Sequence, residues 1–192
     1  MPVSDGSDKA RLSQDATCTL DVISESSAQT QALGRHLGKL VSAGDLILLD
    51  GQLGTGKTTF TQGLALGLNV ADIVNSPTFT LLKEYRGKAT SVSESSSSYS
   101  PASVALYHFD LYRLDEPEEI FDLGFEDYFY GSGVSVVEWA DKAETLWPVE
   151  RLYIRLRTLD EMKRHLTFIA VGEHYCELLR QFQKNVYATT SS

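Results

Sequence analysis

Residues Gly51-Gln52-Leu53-Gly54-Thr55-Gly56-Lys57-Thr58 constrain this chain more than any other stretch. They fit the phosphate-loop pattern: Gly, four residues, Gly, Lys, then Ser or Thr. A loop that wraps a polyphosphate must point successive backbone N–H groups inward, at φ values and close approaches that glycine tolerates. Lys57 supplies a point charge for the β- and γ-phosphates, and the Thr58 hydroxyl a ligand for Mg²⁺. The flanks agree with this reading. Asp45 to Asp50 reads as a short buried strand entering the loop, and Phe60, Leu64 and Leu68 recur at helical spacing after it. The loop therefore opens a helix whose positive end faces an anion. Gly51, Leu53, Gly54, Thr55, Gly56, Lys57, Thr58 and Thr59 are the candidate nucleotide contacts.

The acidic balance, a formal net charge of −9 over 192 residues, argues against a surface built to grip nucleic acid as a whole. Cys18 and Cys176 offer neither a disulfide framework nor a metal-ligand spacing, which predicts unpaired thiols in a reducing compartment. No apolar run reaches the length of a membrane span, and the polar first sixteen residues do not resemble a secretory signal. The expected location is the cytoplasm.

Along the chain, residues 1–16 are expected to be a disordered extension, 17–185 a single domain and 186–192 a loose tail. Cys18, Leu20 and Val22 alternate as in a half-buried strand, and Ser26 with Gln29 has capping-box spacing before an apolar helical face. Glycines 63 and 67 weaken the helix after the loop. Thr78 to Tyr85 and Val104 to Asp110 read as strands around a Ser-rich insertion at 87–103. A short acidic helix is expected from Asp115 and Pro117 to Gly124, then a buried strand ending at Glu138-Trp139. Strands over 152–156 and 166–170 precede a closing helix from Glu173 to about Lys184. This order predicts an α/β, three-layer P-loop NTPase fold, a mainly parallel sheet with an antiparallel C-terminal extension.

Two apolar strands end in acids, Leu106 to Asp110 and Val134 to Glu138. In a parallel sheet both acids emerge at the carboxyl edge, where ligands sit, and either suits a magnesium-linked role. His108 reads as a satisfied structural histidine, Trp139 as a packing residue and Arg113 as an ion-pair partner of Asp115 or Glu116. Arg155, Arg157, Lys163 and Arg164 read as the wet face of an edge hairpin.

Taken in order, Gly51 to Thr59, Ser76-Pro77-Thr78-Phe79-Thr80, His108-Phe109-Asp110-Leu111-Tyr112-Arg113 and Val137-Glu138-Trp139 resemble the motifs of the TsaE (YjeE) family. Those are bacterial P-loop ATPases needed to make threonylcarbamoyladenosine at position 37 of tRNA. The resemblance covers about residues 18–158. It implies ATP and Mg²⁺ as cofactors, Thr58 and Glu138 at the metal, and Asp110, with Lys57, in hydrolysis. It also implies Ser76 to Thr80 as a switch-like loop. The implied partners are TsaD and TsaB homologues, with tRNA met indirectly through their complex and no membrane involved. The Ser-rich insertion and the N-terminal extension depart from the family pattern. A stand-alone P-loop small-molecule kinase is the alternative, but it wants an Arg-bearing lid, and no Arg lies between Gly87 and Ser103. A regulatory GTPase ranks last because the chain has no Asn-Lys-x-Asp guanine-reading motif.

Overall fold

Strand β2 (Leu46–Asp50) is apolar up to its last residue because both of its faces are covered. Ile47 and Leu49 enter one hydrophobic core and Leu46 and Leu48 the other, as the two-residue repeat of a pleated strand requires. The computed structural model describes residues 16–87, 104–116, 119–122 and 124–189. The expected N-terminal extension up to residue 15, the Ser-rich insertion beyond Gly87, Pro117 and the last three residues lie outside that set.

The other strands are β1 (Thr17–Ser24), β3 (Leu82–Arg86), β4 (Ala105–Asp110), β5 (Gly133–Glu138), β6 (Arg151–Thr158) and β7 (Arg164–Val171). They form one sheet in the order β1-β7-β6-β2-β5-β4-β3. Strands β6, β2, β5 and β4 make the parallel centre. The antiparallel part is larger than the predicted C-terminal hairpin: β1 joins β7 at one edge, and β3 joins β4 at the other. Helices α1 (Ser27–Gly38), α2 (Lys57–Gly67) and α5 (Glu173–Thr189) cover one face of the sheet around Leu37, Phe60, Leu64 and Phe182. The other face carries α3 (Glu119–Asp122), α4 (Phe125–Phe129) and a 3₁₀ segment, Ala140–Leu146, around Phe109, Phe125, Phe129 and Trp147. That is the three-layer α/β arrangement. No helix among the described residues is long and apolar enough to cross a membrane.

Several local signals act as the sequence suggests. Ser26 caps α1 by accepting from the Gln29 N–H at 3.2 Å, while the Gln29 side chain accepts from the Glu25 N–H at 2.7 Å. That is a capping box shifted by one residue on its return bond. Glycines 63 and 67 have a use that helix propensity does not show. A Cβ on Gly63 would lie 1.9 Å from the Gln31 carbonyl oxygen, and one on Gly67 2.5 Å from that of Arg35. Gly34 and Gly38 face back just as closely, so α1 and α2 meet backbone to backbone.

Four expectations need correction. Strand β3 begins at Leu82, not Thr78, because the Thr80 and Leu81 N–H groups bond back to the Pro77 carbonyl and Leu81 takes φ 62°. Of the acidic helix Glu119–Asp122 is described, Asp115 and Glu116 lie outside it, and a second helix, α4, follows Gly124 at φ 65°. Helix α5 runs on to Thr189, past the expected end near Lys184. Finally, Cys18 and Cys176 are paired in a disulfide, with Cα atoms 5.4 Å apart across a sequence separation of 158. The pairing arises because β1 lies against β7, Cys18 opposite Ala170, and α5 begins just after β7 with Cys176 on its buried side. Spacing along the chain carries no trace of that neighbourhood.

Candidate functional site

The loop after β2 ends in α2 through Gly54 at φ 81° and Gly56 at φ 101°. A side chain would be strained at both, and the turn they allow aims the first N–H groups of α2 outward at the carboxyl edge of the sheet. Lys57, only 5% exposed, donates to the Gly51 carbonyl and, at 3.1 Å, to the Gln52 carbonyl. Burial lowers its pKa, opposed by the nearby carboxylates of Glu138 and Asp110. Its ammonium also lies 3.7 Å from the centre of the Trp139 ring.

Strands β4 and β5 deliver their terminal acids side by side, Asp110 opposite Glu138 in the parallel register. Both side chains are almost wholly buried. The Thr58 hydroxyl donates to Glu138 Oε2 at 3.0 Å. On the other side Glu138 Oε1 is 2.9 Å from His108 Nε2. Asp110 is differently engaged. Its Oδ2 accepts from the Ser76 hydroxyl and, at 2.9 Å, from the Thr78 hydroxyl, while Oδ1 accepts from the Tyr112 N–H at 2.9 Å.

A cavity of about 350 Å³ joins these groups. Its walls include Leu53, Gly54, Gly56, Lys57, Thr58, Thr59, Ser76, Thr78, Asp110 and Glu138, together with Tyr112 and Trp139. Of the predicted loop contacts, Gly51 and Thr55 stay out of this wall. Gly51 packs against Leu156, where a Cβ would lie 2.5 Å from the carbonyl oxygen, and the Thr55 hydroxyl closes the loop on Gln52 at 2.8 Å. Reading Trp139 as packing is incomplete. At φ 62° it turns sharply out of β5, and its ring stacks beside Tyr112 with centroids 5.0 Å apart over Lys57. Arg113 lies over the exposed Phe79 ring at 4.3 Å, and among the described residues no ion pair joins it to Asp115 or Glu116.

A smaller cavity, about 110 Å³, continues from Gly54, Gly56 and Thr59 towards Ser27, Thr30, Glu161, Met162 and Arg164. Sequence reasoning missed these residues because they come from the start of α1 and the β6–β7 turn, and no local pattern links the two. Two of the four basic residues of that hairpin are ion-paired, Arg155 with Asp50 at 3.0 Å and Lys163 with Glu25 at 2.8 Å. The hairpin is not the expected edge, because β1 pairs along the outer side of β7. A cavity of about 430 Å³ between α4 and Trp147 is lined by Ile120, Phe125, Phe129 and Tyr130 and holds none of the loop or its acids.

The donor set suits magnesium. Thr58 and Glu138 offer hard oxygen ligands, and no group of three His, Cys, Asp or Glu side chains among the described residues could hold a metal alone. Mg²⁺ is commonly held in this way, by one or two protein oxygens with substrate phosphates completing the shell.

Comparison with known proteins gives a consistent picture. The family model described as threonylcarbamoyl adenosine biosynthesis protein TsaE matches residues 24–166. The tRNA threonylcarbamoyladenosine biosynthesis protein TsaE of Bacillus subtilis is 40% identical over 157 residues, covering 82% of this chain and 89% of that protein. Its counterpart from Treponema pallidum is 38% identical over 145 residues, covering 76% and 96%. The crystal structure of YdiB from Bacillus subtilis superposes with a TM-score of 0.70 at 34% identity, over 88% of this chain and 97% of that one.

Proposed function

The chain belongs to the TsaE family of threonylcarbamoyladenosine biosynthesis, and from that membership we propose a Mg²⁺-dependent ATPase that serves this modification at adenosine 37 of tRNA by acting on a TsaD–TsaB complex. The observation that carries the proposal is the convergence of Lys57, Thr58, Glu138 and Asp110 on one cavity beside the glycine loop. ATP phosphates enter over the N-terminus of α2, and Lys57 exchanges its bonds to the Gly51 and Gln52 carbonyls for phosphate oxygens. Thr58 and Glu138 would hold a bound magnesium, which would neutralise charge on the phosphates. The base takes the smaller cavity between Thr30 and Met162.

Asp110 is the acid assigned to hydrolysis, yet both its oxygens already accept hydrogen bonds. Three hydrogen bonds leave Asp110 about one acceptor position for a water, and a partner that moved the Ser76–Thr78 loop would free more of the carboxylate. On this reading the isolated chain turns over slowly and the partner accelerates it. Groups supplied by a partner can contribute about 10³–10⁵ in rate. Tyr112, Phe79 and Leu53 stand exposed around the same mouth and offer apolar surface for docking. A steady-state ATPase assay with and without the TsaD–TsaB pair tests the proposal. Slow basal turnover, raised by the pair, is the expected result. Fast turnover that ignores the pair and transfers phosphate to a small acceptor supports the kinase alternative instead.

A further inference from the structure

On β4 the side chains of Leu106, His108 and Asp110 point to the face covered by α2, as do Val134, Val136 and Glu138 on β5. Its neighbours on that face are Leu106 and Asp110 on its own strand, Val136 on β5 and Lys83 across on β3, so apolar core meets it on one side and the acids of the site on the other. His108 is fully buried among them. Its Nδ1 has no hydrogen-bond partner among the described residues, and its bond is the one from Nε2 to Glu138 Oε1 at 2.9 Å. An orphaned buried acceptor costs stability, and an aliphatic side chain would fill the space without that cost. Packing therefore does not account for an imidazole at this position. A single directed N–H does.

We infer that His108 is a positioning residue for Glu138, tying up Oε1 through Nε2–H so that Oε2 alone is presented to Thr58 and the metal. A carboxylate only accepts, so this bond places a hydrogen on Nε2. With Oε1 held, the carboxylate cannot rotate to chelate through both oxygens. It stays a one-oxygen partner beside the Thr58 hydroxyl, 3.0 Å away. Outer-shell partners of this kind are commonly worth 10- to 100-fold in metal affinity. The inference rests on the magnesium–nucleotide reading of the site, and its test separates the two.

The probe is Mn²⁺ bound to the full-length chain in the presence of ADP, followed by electron paramagnetic resonance. His108→Leu removes the N–H and the orphaned acceptor together. It is expected to keep or raise the melting temperature, keep metal-free ADP affinity, and weaken Mn²⁺ binding by about 10-fold or more. His108→Gln restores an N–H at similar reach and is expected to recover binding to within about threefold of wild type. Unaltered Mn²⁺ affinity in a folded Leu variant overturns the inference, as does a Gln variant no better than Leu. If wild type binds no Mn²⁺ with ADP, the magnesium-site reading itself falls. Imidazole ¹⁵N NMR of the wild-type chain gives a further decision without any variant. Hydrogen on Nε2 supports the inference, and a ring whose hydrogen is on Nδ1 alone overturns it.

Discussion

Replacing Gly63 by alanine sets two physical effects against each other with opposite signs. Helix propensity alone makes the change favourable by about 1 kcal/mol, since Gly63 lies inside α2. The helix contact makes it unfavourable. The new Cβ would stand 1.9 Å from the Gln31 carbonyl oxygen, 2.8 Å from its carbon and 3.0 Å from the Arg35 nitrogen. To reach ordinary van der Waals distance α1 and α2 must part by about 1.5 Å, and a close-packed interior has no slack to absorb that. The obstacle is backbone, so no rotamer change relieves it, and overpacking should cost about 3 kcal/mol, the upper end of its usual range. The net destabilisation is then about 2 kcal/mol, or a fall in Tm of roughly 4–8 °C for a domain of this size. Urea unfolding followed by circular dichroism measures it directly. The parting also carries Thr30 away from Thr59 across the smaller cavity, so ATP affinity should fall with stability. A Gly63→Ala protein more stable than wild type would refute the close-contact account and leave propensity as the governing term.

The two acids should separate in effect. Glu138→Gln is expected to raise the Mg²⁺ concentration needed for ATP binding, whereas Asp110→Ala should lower turnover more than nucleotide affinity. Equal, small effects in a Mg²⁺ titration and a rate assay would remove both acids from the site. Thr78→Ala deletes one of the hydroxyls on Asp110 Oδ2 and should weaken activation by TsaD–TsaB while leaving ATP affinity within about twofold of wild type. Activation at the wild-type level would clear Thr78 of a switch role. The Tyr153 phenol is pushed up from 10.0 to about 12, first by burial and then by its hydrogen bond with Asp50. The folded state therefore holds this proton more tightly than the unfolded one. The stability this contributes is complete below pH 10 and is lost as pH rises through about 12. Difference absorbance against Tyr153→Phe follows the titration, and a midpoint near 10 would contradict the half-buried environment beside Asp50.

The loop, its strand and its helix were legible because each obeys a local rule: glycine at positive φ, an apolar run, a 3.6-residue repeat. Asp110 and Glu138 were legible as strand-terminal acids, since parallel pairing carries both to one edge. What stayed hidden depends on contacts between segments distant in sequence. The Cys18–Cys176 pairing needs β1 beside β7. The wall formed by Thr30, Met162 and Arg164 needs α1 beside the β6–β7 turn. Gly63 looked like a weakness because propensity is a property of one helix, whereas its role belongs to two. Trp139 was misjudged for a similar reason. Its place over Lys57 follows from a left-handed turn that an aromatic residue rarely adopts and that no sequence rule anticipates.

Whether nucleotide at this loop is what the tRNA modification requires is measured most directly by reconstitution. TsaD and TsaB homologues, tRNA, the threonylcarbamoyl donor and ATP are combined with this chain or its Lys57→Ala variant, and modified adenosine 37 is quantified by mass spectrometry. Calorimetry first establishes that the variant is folded and has lost ATP affinity by at least about 10-fold, the expected loss for a charged hydrogen-bonding group at the phosphates. The account predicts modified adenosine 37 with the wild-type chain and little beyond the background without it when Lys57→Ala takes its place. Full modification supported by a variant that no longer binds ATP would contradict it.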